Sequence, residues 1–326
     1  MARKVMSFLL TTAVISLAIA VGLILSQRPG ELPPGEGLDF TQTLEGEQQE
    51  PMPLASVAMR DGYALQVRRY PGPDAGAPLL ILVHGSGWHG LQFDPLARAL
   101  SATADVVVPD LRGHGTAPGA RGDISYIAQF EDDLADLIGA EAAQGQKVVL
   151  AGHSSGGGLV VRFAGGAHGQ RMDAAVLMAP FLKHNAPMTR QNSGGWAYPL
   201  MRRIIGLSML NSVGIKALNH LTIMQLRMPQ VVIDGPLGDT ATTQYSYRLN
   251  TGFAPRSNYL KDVAALPRFV VVTGADDEAF NAALYQPTLS AVTDKGSYVP
   301  VDGVGHLDIV NAPETRLAIE SLLNDL

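Results

Sequence analysis

An alternating α/β fold is what the sequence predicts: a mostly parallel central sheet flanked by helices, with a helical cap inserted late in the chain. Three observations carry this. Short runs of Val, Leu and Ala recur between amphipathic segments, the order that parallel strands joined by crossover helices require. A serine flanked by glycines follows one of these runs and opens a helical pattern. Residues 181–240 then interrupt the alternation for far longer than an ordinary crossover loop, which points to a lid or binding element.

In chain order, Arg3 and Lys4 precede an uncharged apolar run over residues 5–26. As a helix it spans roughly 33 Å, enough for a bilayer core of about 30 Å. Residues 1–26 therefore read as a membrane anchor. The rival is a signal peptide cut near Ala18-Ile19-Ala20, but the apolar run continues through residues 21–25. The positive-inside bias, with Arg3 and Lys4 before the run and Glu31, Glu36 and Asp39 beyond Arg28, places the rest outside the cytoplasm, periplasmic or extracellular. A cleaved signal would secrete it instead. Residues 27–54, rich in Pro, Gly, Glu and Gln without apolar periodicity, read as a flexible linker.

The folded domain is expected over 55–326. Residues 55–70 read as two short strands around an Asp61-Gly62 turn. Further strands are expected at 79–84, 104–109, 147–152, 174–179, 268–273 and 296–301, and helices at 93–102, 124–143, 155–165, 281–292 and 314–325. The second of these helices shows its stripe in Ile124, Ile127, Phe130, Leu134 and Leu137.

With 46% hydrophobic residues the chain can bury a large core, and its formal charge of −6 gives no reason to expect a nucleic-acid partner. The absence of cysteine excludes disulfides, thiolate nucleophiles and zinc–sulfur sites. The sequence gives no sign of a protein partner.

Gly152-His153-Ser154-Ser155-Gly156 fits G-x-S-x-G between a strand and a helix. A serine at so sharp a turn needs glycines two residues away on either side so that neighbouring backbone can approach. Ser154 has them, in Gly152 and Gly156; Ser155 has His153 and Gly157. A serine hydroxyl also needs a base, an acid to orient that base, and donors for a developing oxyanion. Asp276, Asp277 and Glu278 follow one expected strand, and His306 follows the next in a Gly303-Val304-Gly305 loop. On spacing alone all three acids remain open. The loop of residues 84–90 after an earlier strand offers one backbone donor, and the amide of Ser155 offers the second.

Taken together, His84-Gly85-Ser86-Gly87, Pro109 to Gly115 (PDLRGHG), residues 152–157 (GHSSGG), Gly274 to Asp277 (GADD) and Gly303 to His306 (GVGH) make the chain resemble the α/β-hydrolases over residues 55–326. More narrowly it resembles the lysophospholipase and monoacylglycerol-lipase-like serine hydrolases, with serine aminopeptidase-type relatives. The resemblance implies Ser154 as nucleophile, His306 as general base, Asp277 as orienting acid with Asp276 in reserve, and the Ser86 and Ser155 amides as oxyanion donors. It also implies a cap over the serine at 181–240. Many relatives carry Met after the nucleophile, where this chain has Ser155.

The cap is rich in large apolar residues, and six basic side chains from Lys183 to Arg227 precede its first acid, Asp234. Such a surface suits an acyl chain and an anionic head group or membrane surface. An aminopeptidase would want a carboxylate for the substrate ammonium, and the cap supplies none through Gln230. The expectation is a membrane-tethered serine hydrolase of small-molecule or lipid carboxylic esters, needing no metal or organic cofactor. The alternatives are an aminopeptidase or another acyl-transferring member of the fold, and a non-catalytic binding module. Dehalogenases and epoxide hydrolases would need a carboxylate where Ser154 stands.

Overall fold

The Asp61-Gly62 turn closes a hairpin between β1 (Ala55–Ala58) and β2 (Ala64–Tyr70), and this hairpin forms one edge of an eight-stranded sheet. A computed structural model describes residues 2–33, 35, 37–41 and 49–326 of the chain. The strands that follow are β3 (Leu79–Val83), β4 (Asp105–Asp110), β5 (Val148–His153) and β6 (Ala174–Met178). After a long insertion come β10 (Arg268–Gly274) and β11 (Gly296–Val301). The sheet runs β1-β2-β4-β3-β5-β6-β10-β11; β1 and β2 are antiparallel to their neighbours and every other pairing is parallel.

Residue type explains the layout. Every residue of β3, β5 and β6 is buried, as continuous apolar runs covered by helices on both faces must be. Helices Asp94–Leu100, Gln129–Glu141, Ser155–Ala164 and Pro313–Asn324 supply that cover. Phe93, Phe130, Phe163 and Phe269 fill the space between helices and sheet and are wholly enclosed. The chain runs from β3 to β4 on one side and returns to β5 on the other, so the order reverses between β3 and β5. At such a switch point the loops beyond the strand ends diverge and leave a crevice.

Two expected helices are shorter than their apolar pattern. The one anticipated over 124–143 begins only at Gln129, because Gln129 Oε1 accepts from the Ser125 amide at 2.6 Å and holds the preceding residues in a turn. The one anticipated over 281–292 reduces to Tyr285–Leu289 after a 3₁₀ turn, Ala282–Leu284. Pro287 lies in that segment and has no amide to donate.

The insertion between β6 and β10 holds the expected helical element, Met201–Ser212, and beside it a three-stranded antiparallel sheet of β7 (Ala197–Pro199), β8 (Thr222–Leu226) and β9 (Gln244–Ser246). Since β9 and the helix Tyr247–Phe253 continue the same structure, the cap runs beyond residue 240. Its strands are only three to five residues long and sit among Met, Gln and Tyr, too short to show a period-2 pattern.

Helix Ala2–Leu25 is long and apolar enough to cross a membrane. Its last turns lie on the cap, with Ala20 and Ile24 buried against Leu207, Leu210, Ile223 and Tyr247. The two helices meet at Gly206, where a β-carbon would stand 2.5 Å from the Ala20 carbonyl oxygen and 2.7 Å from Ile24 Cγ1.

The linker expected over 27–54 is not a free tether where it is described. Gln225, itself buried in the cap sheet, accepts from the Gly30 amide at 3.2 Å and donates to the Gly30 carbonyl at 2.6 Å. Leu38 and Phe40 are buried in the main core cluster. Composition misleads here because two apolar side chains suffice to dock a segment that is otherwise polar. Pro34, Glu36 and residues 42–48 of that stretch lie outside the described residues.

Candidate active site

Ser154 occupies the turn between β5 and helix Ser155–Ala164 with φ 52° and ψ −120°, a conformation that costs a non-glycine residue about 1–3 kcal/mol. The surroundings over-determine it. The Ser154 amide donates to the Met178 carbonyl at 2.9 Å, and its carbonyl accepts from Gly158 at 3.1 Å and Phe181 at 2.9 Å. A β-carbon on Gly152 would lie 2.4 Å from backbone atoms of Gly156, and one on Gly156 would lie 2.2 Å from the Val83 carbonyl oxygen. The two flanking glycines are thus required by helix and strand passing within touching distance.

The other sequence-predicted residues converge on this turn. His306, in the loop after β11, places Nε2 3.0 Å from Ser154 Oγ and Nδ1 2.8 Å from Asp277 Oδ2. Asp277 sits in the loop after β10 and is buried, as is His306. Its Oδ1 accepts from the amides of Ala279 at 2.7 Å and Phe280 at 2.8 Å, which fixes the carboxylate plane. Asp276, the reserve choice, is exposed and Glu278 is half-buried. Glu278 does not reach the imidazole ring; its Oε2 accepts the His306 backbone amide at 3.0 Å.

The proton arrangement follows from the partners. A carboxylate beside Nδ1 keeps the proton there and leaves Nε2 to accept from the serine hydroxyl. Burial alone would lower the His306 pKa, but the Asp277 charge and hydrogen bond, with Glu278 beyond, outweigh it and hold the imidazole above its ordinary value. For Asp277 burial raises the pKa, yet the charge and hydrogen bond of His306 and the two loop amides bring it below the usual carboxylate range. Each partner therefore favours the charged form of the other.

The loop after β3 comes to the same point. A β-carbon on Gly85 would lie 3.2 Å from Ser154 Cβ, so this backbone is already in contact with the serine. Among the described residues, the backbone amides of Ser86 and Ser155 have no hydrogen-bond acceptor. Both residues line the cavity that opens at Ser154. A buried frame holds the loop: His84 Nε2 accepts from the Leu111 amide at 3.0 Å, and Asp110, paired with Arg68 at 2.9 Å, accepts the Gly90 amide at 2.8 Å. Asp110, Leu111 and Arg112 belong to the PDLRGHG stretch, whose service here is structural.

Among known proteins, the sequence profile of the alpha/beta hydrolase family matches residues 80–319. The chain belongs to the alpha/beta hydrolase family. An uncharacterised protein of Mycobacterium bovis is 32% identical over 87 residues, a match covering 27% of this chain and only 25% of that relative's length. A monoacylglycerol lipase of Mycolicibacterium smegmatis is 25% identical over 228 residues, 69% of this chain and 72% of the lipase. In structure, a soluble variant of monoglyceride lipase from Saccharomyces cerevisiae, solved with a substrate analogue, superposes with a TM-score of 0.65 at 15% identity, over 85% of this chain and 96% of the lipase.

Two cavities meet at Ser154, Ser86, Trp196 and His306. One runs past Phe181, Met224, Leu226, Phe253 and Phe280, and the other past Trp88, Leu307 and Val310 to Leu38 and Phe40. Among the described residues, no carboxylate and no Lys or Arg lines either one. The basic residues of the cap therefore do not face the cavities at the serine. Asp39, Asp276, Glu278 and Asp308 border a separate hollow that touches His306 from outside.

Several contributors were not legible in the sequence. His153, beside Ser154, donates from Nε2 to the His306 carbonyl at 2.9 Å, and its Nδ1 accepts from Gln92 at 3.2 Å. Burial, then the nearby His306 charge, pushes its pKa to about 3, so it is a neutral strut for the loop carrying His306. Trp196 of the cap donates from Nε1 to Ser86 Oγ at 3.0 Å. Tyr245, also in the cap, accepts the Gly87 amide and donates to His114 Nε2, both at 2.6 Å. Only the histidines sat in motifs that could have drawn attention; Trp196 and Tyr245 lie in cap sequence with no chemical signature.

Proposed function

We propose that this chain is a serine hydrolase of carboxylic esters that works through an acyl-enzyme on Ser154. The observation that carries the reading is the line Ser154 Oγ, His306 Nε2 and Nδ1, Asp277 Oδ2, with contacts of 3.0 and 2.8 Å between buried groups. His306 removes the hydroxyl proton as Oγ attacks the ester carbonyl, and Asp277 stabilises the imidazolium that forms. The amides of Ser86 and Ser155 donate to the oxyanion of the tetrahedral intermediate. The intermediate collapses, His306 passes its proton to the departing alcohol oxygen, and an acyl-serine remains. Water, deprotonated by the same imidazole, then attacks the acyl carbonyl and regenerates the hydroxyl.

The walls support a substrate class. Apolar, uncharged cavities on both sides of the serine suit an ester with a hydrocarbon chain and a neutral neighbour, such as a monoacylglycerol. The similarity to the mycobacterial monoacylglycerol lipase supports the same class. An aminopeptidase is less favoured, because Asp39, Asp276, Glu278 and Asp308 border the outer hollow rather than the cavities at Ser154.

For placement, the reading is an uncleaved anchor over residues 1–26 and a catalytic domain over 55–326 outside the cytoplasm. Burial of Ala20 and Ile24 against the cap supports retention, since cleavage after Ala20 would divide that contact. Turnover of p-nitrophenyl butyrate against alanine p-nitroanilide tests the chemistry on the full chain. The ester is expected to be the better substrate by far, and preferential release of p-nitroaniline would replace this reading with the aminopeptidase.

A further inference from the structure

The stretch between the anchor and β1 does more than connect them. From the anchor's end it follows the cap: Gln27 Oε1 accepts the Arg202 amide at 2.9 Å, Gln225 grips Gly30 in both directions, and Gly37 rests on Arg227. The Asp39 amide then donates to Glu278 Oε1 at 3.0 Å, while the other oxygen of Glu278 holds the His306 amide. On either side of Asp39, Leu38 and Phe40 point inward and bound the cavity that contains Ser154 and His306. The Phe40 ring stands edge-on to Trp88 at 6.5 Å and lies 6.1 Å from Trp196, whose indole bonds Ser86. Both side chains are almost fully buried, although the segment is otherwise polar.

We propose that Leu38 and Phe40 are specificity-determining residues: they form the end wall of one branch of the substrate cleft and limit the length of hydrocarbon that the branch accepts. The inference rests on the ester-hydrolase reading of Ser154 and adds a wall contributed from outside the catalytic domain. Two apolar side chains anchored by backbone hydrogen bonds make a fixed stop, and a hydrocarbon longer than the branch meets Phe40 packed between two indoles. The acyl and alcohol portions of an ester leave the carbonyl in different directions. A stop in one branch therefore limits length on one side of the ester only.

The test uses the full chain in nanodiscs of a non-hydrolysable ether lipid. kcat/KM is measured for p-nitrophenyl esters from butanoyl to dodecanoyl, and for butanoate esters of alcohols from butyl to dodecyl. In Leu38→Ala/Phe40→Ala the long-to-short ratio is expected to rise about tenfold in one series and to stay put in the other. Leu38→Phe, which adds bulk without emptying the wall, is expected to lower the ratio in that same series. Unchanged ratios in both series, or an equal rise for every ester, would overturn the proposal; the equal rise would make the segment a cover rather than a stop. Should the wild type hydrolyse no ester, the catalytic reading fails by itself and binding decides the wall. The chain has two tryptophans, both lining this cavity, so their fluorescence reports fatty acids and alcohols of graded length directly. A rise in long-chain over short-chain affinity in the double alanine variant supports the wall, and no change in that ratio rejects it.

Discussion

The two sides of the cleft at Ser154 are built on different principles. One side consists of the loops after β3, β5, β10 and β11, where each position demands a particular residue: a serine in a strained turn, glycines where backbones touch, an imidazole between a hydroxyl and a carboxylate. The other side consists of the cap and residues 37–41, where Trp196, Phe181, Met224, Leu38 and Phe40 supply apolar volume. Chemistry constrains residue identity on the first side; on the second, packing constrains only size and polarity. Substitutions should accordingly abolish reaction on the loop side and redistribute substrate preference on the cap side.

The largest effect is expected at Ser154, the proposed nucleophile. Ser154→Ala should reduce kcat on p-nitrophenyl butyrate by about 10⁶-fold with the circular-dichroism spectrum unchanged, the size of loss seen when a serine protease loses its attacking oxygen. Activity within tenfold of wild type would place the chemistry elsewhere. Next in size is Asp277→Asn, for which a fall of about 10⁴-fold is expected because the imidazole then loses its tautomer and its counter-charge. The matching Asp276→Asn should stay near wild type, since that side chain is exposed and does not reach His306. Equal losses in the two variants would remove the distinction drawn between these neighbours.

Proton linkage gives a gentler probe. The base must be neutral to act, and the Asp277 charge outweighs burial to hold the His306 pKa above its ordinary value. The rate kcat/KM should therefore be low in acid and rise with pH along a limb whose midpoint lies above about 6.5. In Asp277→Asn the raising charge is gone while burial remains, so the midpoint of any residual activity should move down. A midpoint that stays fixed in this variant would mean that another group titrates. The smallest effect belongs to Ser155→Ala, which keeps the backbone amide and should retain activity within about threefold of wild type.

The same contrast explains what the sequence disclosed. Ser154, Asp277 and His306 stand out because each follows a strand end in the order the fold uses; the alternating pattern located six strands of the main sheet to within a residue, and the Asp61-Gly62 turn gave away the hairpin of the other two. Asp277 could not be separated from Asp276 and Glu278 by spacing, because adjacent loop residues differ only in which way the backbone turns them. The cap sheet was missed because three strands of three to five residues show no period. Leu38 and Phe40 were missed for a related reason: each is an isolated apolar residue in a polar stretch, and its burial depends on Trp88 and Trp196 arriving from distant parts of the chain. The helix Ala2–Leu25 was evident as an apolar run, whereas its seat on Gly206 was not, since a single glycine in a cap helix carries no such message.

The asymmetry between Ser154 and its neighbour offers the most direct test of the central claim. The full chain would be treated with an alkyl fluorophosphonate, which transfers its phosphonyl group to an activated serine hydroxyl with loss of fluoride, and the modified peptide would be sequenced by mass spectrometry. A single adduct on Ser154, retained in Ser155→Ala and lost in Ser154→Ala, is the predicted result. An adduct on Ser155, or no adduct on a correctly folded chain, would contradict the assignment.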